Sequence, residues 1–174
     1  EGERVFESLD EMLDIARKTD VQLQISHLKL GAKSVWGRPE ELHSKILRAR
    51  EEGIRINADM YPYNACSTGI SSRLPTWVMN GGGEAAARLL STPGPKRDEV
   101  LALFREKYPT LEDGESFYVV SSYGHCPEAD GMTLGQLSQL WGLPVPETML
   151  RYLIETQCDE DAIIFNVDEK DVLW

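Results

Sequence analysis

Val21-Gln22-Leu23-Gln24-Ile25-Ser26-His27-Leu28-Lys29 and Ile54-Arg55-Ile56-Asn57-Ala58-Asp59-Met60-Tyr61-Pro62-Tyr63 decide the fold of this chain. In each, apolar residues alternate with polar ones over a short run, the period of a β-strand. Between them Pro39 suits a first helical turn, and Leu42, Ile46, Leu47 and Ala49 make an apolar stripe. Gly53 is a natural stop. Strand, loop, helix, strand over residues 21–59 has the length of a βαβ crossover, which needs about 30 or more residues. Such crossovers make the two strands parallel. Parallel α/β sheets do their chemistry at the carboxyl ends of the strands, so the pattern brings His27 and Asp59 to one edge.

Upstream, Val5, Leu9, Met12, Leu13 and Ala16 recur at helical spacing, predicting a helix over residues 3–18. Beyond Tyr63 the pattern changes. Residues 64–94 are loop-rich, with a short helix near 84–91, and Gly81-Gly82-Gly83 reads as a hinge. Helices are expected over 96–107, 133–141 and 147–156, and strands over 117–121 and 163–165. An excursion from 64 to about 160 is too long for a plain αβ loop. The expected organisation is therefore βα units over 1–63, an inserted, lid-like helical and loop segment over 64–160, and a return to the first sheet over 161–174.

The composition is ordinary for a globular chain: 174 residues, 41% hydrophobic and 27% charged. A net charge of −11 disfavours a nucleic-acid backbone or an anionic membrane as partner. No apolar run approaches the roughly 20 residues that span a bilayer. Cys66, Cys126 and Cys158 are scattered and odd in number, which fits a reducing, cytoplasmic compartment rather than a disulfide framework. No Cys-x-x-Cys pair offers a structural zinc ribbon. The first residues carry neither an initiator Met nor a signal-peptide pattern, so the chain is expected to begin inside a longer polypeptide or to have been processed.

His27 is a candidate metal ligand as a neutral imidazole at a strand end; a surface histidine is the alternative. Asp59 is a ligand, a base, or a turn residue satisfying local backbone amides. Tyr61 and Tyr63 around Pro62 suit a rigid pocket wall or simple core packing. Lys29 is a point charge for a carboxylate or phosphate, or a solvated lysine. His43 falls on the solvent side of its helix. His125 beside Cys126 is better read as a loop histidine than as half of a Cys–His pair, which forms across space and not along the chain.

Ile25-Ser26-His27-Leu28-Lys29, Trp36-Gly37-Arg38, Asp59-Met60-Tyr61-Pro62-Tyr63 with Ser67-Thr68, Leu74-Pro75-Thr76-Trp77, Gly131-Met132-Thr133-Leu134 and Asp168-Glu169-Lys170-Asp171-Val172 resemble, in order and spacing, the N-acyl-D-amino-acid deacylases, the D-aminoacylases of the amidohydrolase superfamily. The resemblance covers nearly the whole chain. It implies a partial (β/α)8 metal-dependent-hydrolase barrel, about strands five to seven, with an insertion. It also implies a zinc-dependent hydrolase of N-acyl amino acids, with His27 matching the family's strand-five metal ligand and Lys29, Tyr61 and Tyr63 at the substrate. Tyr61 falls where many of the family carry a second metal-binding His, which is a departure. The family's His-x-His pair and its acid/base Asp have no counterpart here, so the 174 residues alone are expected to be inactive and to hold zinc weakly. An open piece of barrel exposes sheet edges, which invites self-association. A dihydroorotase- or hydantoinase-like cyclic amidase on the same barrel, and a non-catalytic α/β binding domain, are the competing readings.

Overall fold

Leu23–Ile25 and Ile56–Ala58 form two parallel strands, β1 and β2, with Leu23 opposite Ile56, Gln24 opposite Asn57 and Ile25 opposite Ala58. This is the pairing the crossover demands. The computed structural model describes residues 2–174, which divide into two compact units. Residues 2–65 with 166–174 make the first and residues 66–165 the second.

In the first unit, helices α1 (Val5–Thr19) and α2 (Pro39–Glu51) pack their apolar faces into one core with the strands. That core holds Val5, Leu9, Leu13 and Ala16 from α1, Leu42, Ile46 and Ala49 from α2, and Leu23 and Ile56 from the sheet. Each large aliphatic side chain so buried contributes roughly 1.5–3 kcal/mol. Two residues counted in the sequence on the apolar stripes, Met12 and Leu47, are instead exposed: both lie just off the helical stripe the core selects. Asp20 ends α1 in the left-handed region, its N–H donating to Ala16 O at 2.9 Å. Pro39 opens α2, and Gly53 follows it at φ +87°. Lys45 Nζ reaches Asp10 at 2.5 Å, and Arg17 Nε reaches Glu52 at 2.9 Å, tying the two helices on their wet side.

The second unit is built on a three-stranded sheet ordered β3 (Ala65–Thr68), β5 (Asp161–Phe165), β4 (Phe117–Ser121). β4 and β5 are antiparallel, with Phe117 opposite Ile164 and Val119 opposite Ala162, and the register shifts between Val119 and Ser121. Phe117, Val119, Ala162 and Ile164 face the core, while Tyr118, Val120 and Phe165 stay exposed. Helices α3 (Thr76–Met79), α4 (Gly83–Ser91), α5 (Pro95–Lys107), α6 (Leu111–Glu115), α7 (Leu134–Trp141) and α8 (Val145–Glu155) complete the unit. Phe104, Leu137, Met149, Tyr152 and Leu153 are fully buried among them. Thr133 caps α7 reciprocally with Gln136, and Thr110 caps α6 with Asp113.

Two features differ from the sequence reading. Residues 161–165 do not rejoin β1 and β2; they pair with β4, and the chain returns to the first unit at residue 166. The last helix, α9 (Glu169–Leu173), belongs to that returning segment. Gly81-Gly82-Gly83 is not a free hinge: it starts α4, and a Cβ on Gly83 would lie 2.4 Å from the Gln157 carbonyl oxygen. The glycine is there because backbone meets backbone.

Candidate functional site

Asp59 knits the ends of β1 and β2 together. Its backbone N–H donates to Ile25 O at 3.1 Å, and its carbonyl accepts from Leu28 N–H at 2.8 Å. Its carboxylate accepts from the His27 backbone N–H at 2.8 Å through one oxygen and from Gln24 Nε2 at 2.9 Å through the other. Of the roles weighed for Asp59 from the sequence, the geometry shows the turn residue that satisfies neighbouring amides.

This clamp fixes the backbone of His27 in the left-handed region at φ +55°. Histidine adopts that conformation more readily than most side chains, but a non-glycine residue held there is strained, by about 1 kcal/mol or more. The turn leaves the imidazole exposed at the strand end. Its ring meets Tyr61 with centroids 5.7 Å apart, and Tyr61 stacks on Tyr63 at 6.5 Å. Lys29 Nζ sits over the Tyr61 ring, 5.4 Å from its centroid, and donates to His27 O at 3.4 Å. The Tyr61 hydroxyl is buried without a hydrogen-bond partner, whereas Tyr63 is largely exposed. His27, Lys29, Tyr61 and Tyr63, chosen from the sequence, thus form one contiguous group. His43 stands apart from it, exposed, with its ring edge-on to Trp174 at 5.4 Å. His125 is exposed in the second unit, its N–H donating to Ser122 O.

Residues remote in sequence complete the surroundings. The loop after Lys29 is held by the returning segment: Asn166 Nδ2 donates to Gly31 O at 3.3 Å, Trp36 Nε1 donates to Asn166 O at 3.1 Å, and Gly37 N–H donates to the Asp171 carboxylate at 2.9 Å. The sequence reading missed these partners, since no local pattern marks a hydrogen bond spanning more than a hundred residues.

As a metal centre the group is incomplete. Zinc takes three or four protein ligands. Here one imidazole is available, and both Asp59 carboxylate oxygens are already engaged. Among the described residues, the side chains close enough together to hold an ion are Cys126, Glu128 and Glu155 of the second unit. There burial and the two carboxylates push the Cys126 thiol up to about 12, so it stays protonated.

Over 172 residues, 99% of its length, the chain is 25% identical to an N-acyl-D-glutamate deacylase of Alcaligenes xylosoxydans xylosoxydans. Its fold matches the crystal structure of N-acyl-D-glutamate deacylase from Bordetella bronchiseptica, complexed with zinc and a phosphonate inhibitor that mimics the reaction's tetrahedral intermediate, with a TM-score of 0.65 and 26% identity over 99% of this chain. A crystal structure of D-aminoacylase, which defines a novel subset of amidohydrolases, matches in fold with a TM-score of 0.63 at 24% identity over 99% of this chain. The chain spans 27% of the length of each of these relatives. No family model matches it. No helix among the described residues is long and apolar enough to cross a membrane.

Proposed function

We propose that this chain, similar to the D-aminoacylases along 99% of its length, is the middle part of a metal-dependent amidohydrolase that cleaves the amide bond of N-acyl-D-amino acids. On this reading β1 and β2 lie within about strands five to seven of a (β/α)8 barrel, and residues 66–165 are an inserted segment. The observation that carries the reading is the gathering of His27, Lys29, Tyr61 and Tyr63 at one end of a parallel strand pair. The sequence and fold around them are those that resemble the deacylases.

Each residue then has a role. His27 is one zinc ligand, presented by the turn that Asp59 holds. Lys29 receives a substrate carboxylate as a point charge. Tyr61 and Tyr63 form the wall along which a small polar substrate lies. Zinc, when bound, supplies Lewis acidity and an activated water. The residues present do not by themselves make its site, so the remaining ligands and the acid/base carboxylate belong to chain outside these residues. The 174 residues alone are accordingly inactive.

The test is substrate profiling of the full-length protein together with its His27→Asn variant, since asparagine tolerates the left-handed backbone. Hydrolysis of N-acetyl-D-amino acids, with kcat/KM falling more than about 100-fold and zinc content dropping in the variant, is the expected result. Turnover of cyclic ureides in place of N-acyl amino acids would replace this reading with a cyclic amidase. A metal-free, inactive full-length protein would leave a binding domain.

A further inference from the structure

The returning segment 166–171 grips the loop that follows Lys29 at three points. Asn166 provides two of them, its side-chain amide to Gly31 O and its carbonyl to the Trp36 indole. Asp171 provides the third, both carboxylate oxygens lying within 3.1 Å of the Gly37 nitrogen. Gly31, buried, is the meeting place. A Cβ built on it would lie 3.4 Å from Asn166 Nδ2 and 3.7 Å from Lys29 Cε. Asn166 and the Lys29 stem therefore border the same glycine, at the spacing of ordinary van der Waals contact to a side chain there.

Asn166 keeps this grip at a cost. Its Oδ1 is buried with no hydrogen-bond partner, and an orphaned buried acceptor is destabilising. An apolar side chain of similar size would remove that cost if the position served packing alone. What only asparagine supplies is the amide donor to Gly31 O.

Resting on the reading of Lys29 as the group that receives the substrate carboxylate, we propose that Asn166 and Asp171 are positioning residues that strap the Gly31–Gly37 loop and thereby hold Lys29 in place over Tyr61. They touch neither metal nor substrate. Their effect passes through the loop to the ammonium group.

The experiment uses the full-length protein and its Asn166→Leu, Asp171→Ala and Lys29→Ala variants, with steady-state kinetics on N-acetyl-D-amino acids, zinc content, thermal unfolding and amide exchange at residues 31–37. In Asn166→Leu, KM rises about 10-fold while kcat changes less than about 2-fold, as for lost ground-state binding. Zinc content is unchanged, and the melting temperature shifts little, because relieving the orphaned Oδ1 is offset by leaving Gly31 O without its amide donor. Asp171→Ala moves KM in the same direction by a smaller factor, and serves if the leucine variant does not fold. In the Lys29→Ala background, Asn166→Leu adds less than about 2-fold, because coupled residues are not additive. An unchanged KM, or the same factor with and without Lys29, overturns the proposal. If the wild-type protein hydrolyses no N-acyl amino acid, the proposed function fails, and amide exchange decides the strap. Exchange at 31–37 at least about 10-fold faster in Asn166→Leu and Asp171→Ala supports it, and unchanged exchange refutes it.

Discussion

The two units treat their ionisable groups in opposite ways. In the first, the groups of chemical interest stand at open strand ends: His27 and Asp59 are exposed and Lys29 half-buried, their positions fixed by hydrogen bonds and ring contacts. In the second, Cys126, Tyr152 and Glu160 are sealed in the core. Burial pushes the Tyr152 hydroxyl and the Cys126 thiol upward, and raises Glu160 above the ordinary carboxylate range despite its hydrogen bonds from Ile70 and Ser71 N–H. Groups sealed in this way are held neutral or locked to backbone, and they serve the fold. Residue type alone therefore says little about function: the chain's most perturbed thiols lie far in sequence from its best candidate site.

The contrast between the units fails first if Cys126, buried, or Cys158, half-buried, reacts readily. Burial pushes Cys126 and Cys158 up to about 12. At pH 8 their alkylation by iodoacetamide is expected to be on the order of 10³-fold slower than that of a free thiol near pKa 8.5. Mass spectrometry of the labelled native protein measures this, and rapid labelling would mean that the second unit opens readily.

Next in size is the close approach at Gly83. A Cβ there collides with the Gln157 backbone, so Gly83→Ala should destabilise the protein by about 1–3 kcal/mol in chemical denaturation. A neutral result would restore the hinge reading of the glycine run.

Asp59→Ala removes the acceptor for His27 N–H and Gln24 at exposed strand ends. The expected loss is about 1 kcal/mol, with faster amide exchange at His27 and no change in the second unit. Exchange that spreads into residues 66–165 would show that the two units do not unfold separately.

The smallest effect concerns pH. Glu160 has a folded pKa raised by burial, so its charged form is disfavoured by folding. Its contribution is fully present below the unfolded carboxylate value and is lost as pH rises through the folded one. Wild-type stability should decline over that window, just above the usual carboxylate range, relative to Glu160→Gln. Denaturation series for both proteins from pH 4 to 7 read the difference, and parallel curves would place Glu160 in contact with water.

Much of this architecture was legible because short-range pattern and long-range demand agreed. Alternation marked β1 and β2, helical spacing marked α1 and α2, and β4, α4, α5, α7 and α8 were expected close to where they form. The crossover rule then brought His27 and Asp59 to one edge. β3 was illegible: Ala65-Cys66-Ser67-Thr68 has no alternation of its own and is a strand because β5 lies beside it. The partner of β5 was misjudged for the same reason, since Ile163-Ile164-Phe165 announces a strand but not which sheet will take it. Asn166 and Asp171 lay beyond reach because their partners are Gly31 and Gly37, and polar contacts between such distant residues leave no periodic trace.

The chain enters the second unit after Ala65 and returns from it at Asn166, and just outside it Val167 N–H donates to Asn64 O at 3.1 Å. That one hydrogen bond has a consequence during synthesis. Residues 66–165 are continuous and emerge from the ribosome before the strap residues of the first unit exist as polypeptide. Closing a loop of that length costs entropy, but once the second unit has folded, its neighbouring β3 and β5 bring the two ends of the first unit together at no further cost. The order of assembly is thereby set by where the insertion interrupts the chain: β1 and β2 can pair early, while the loop beside Lys29 stays unlatched until residues 166–171 arrive.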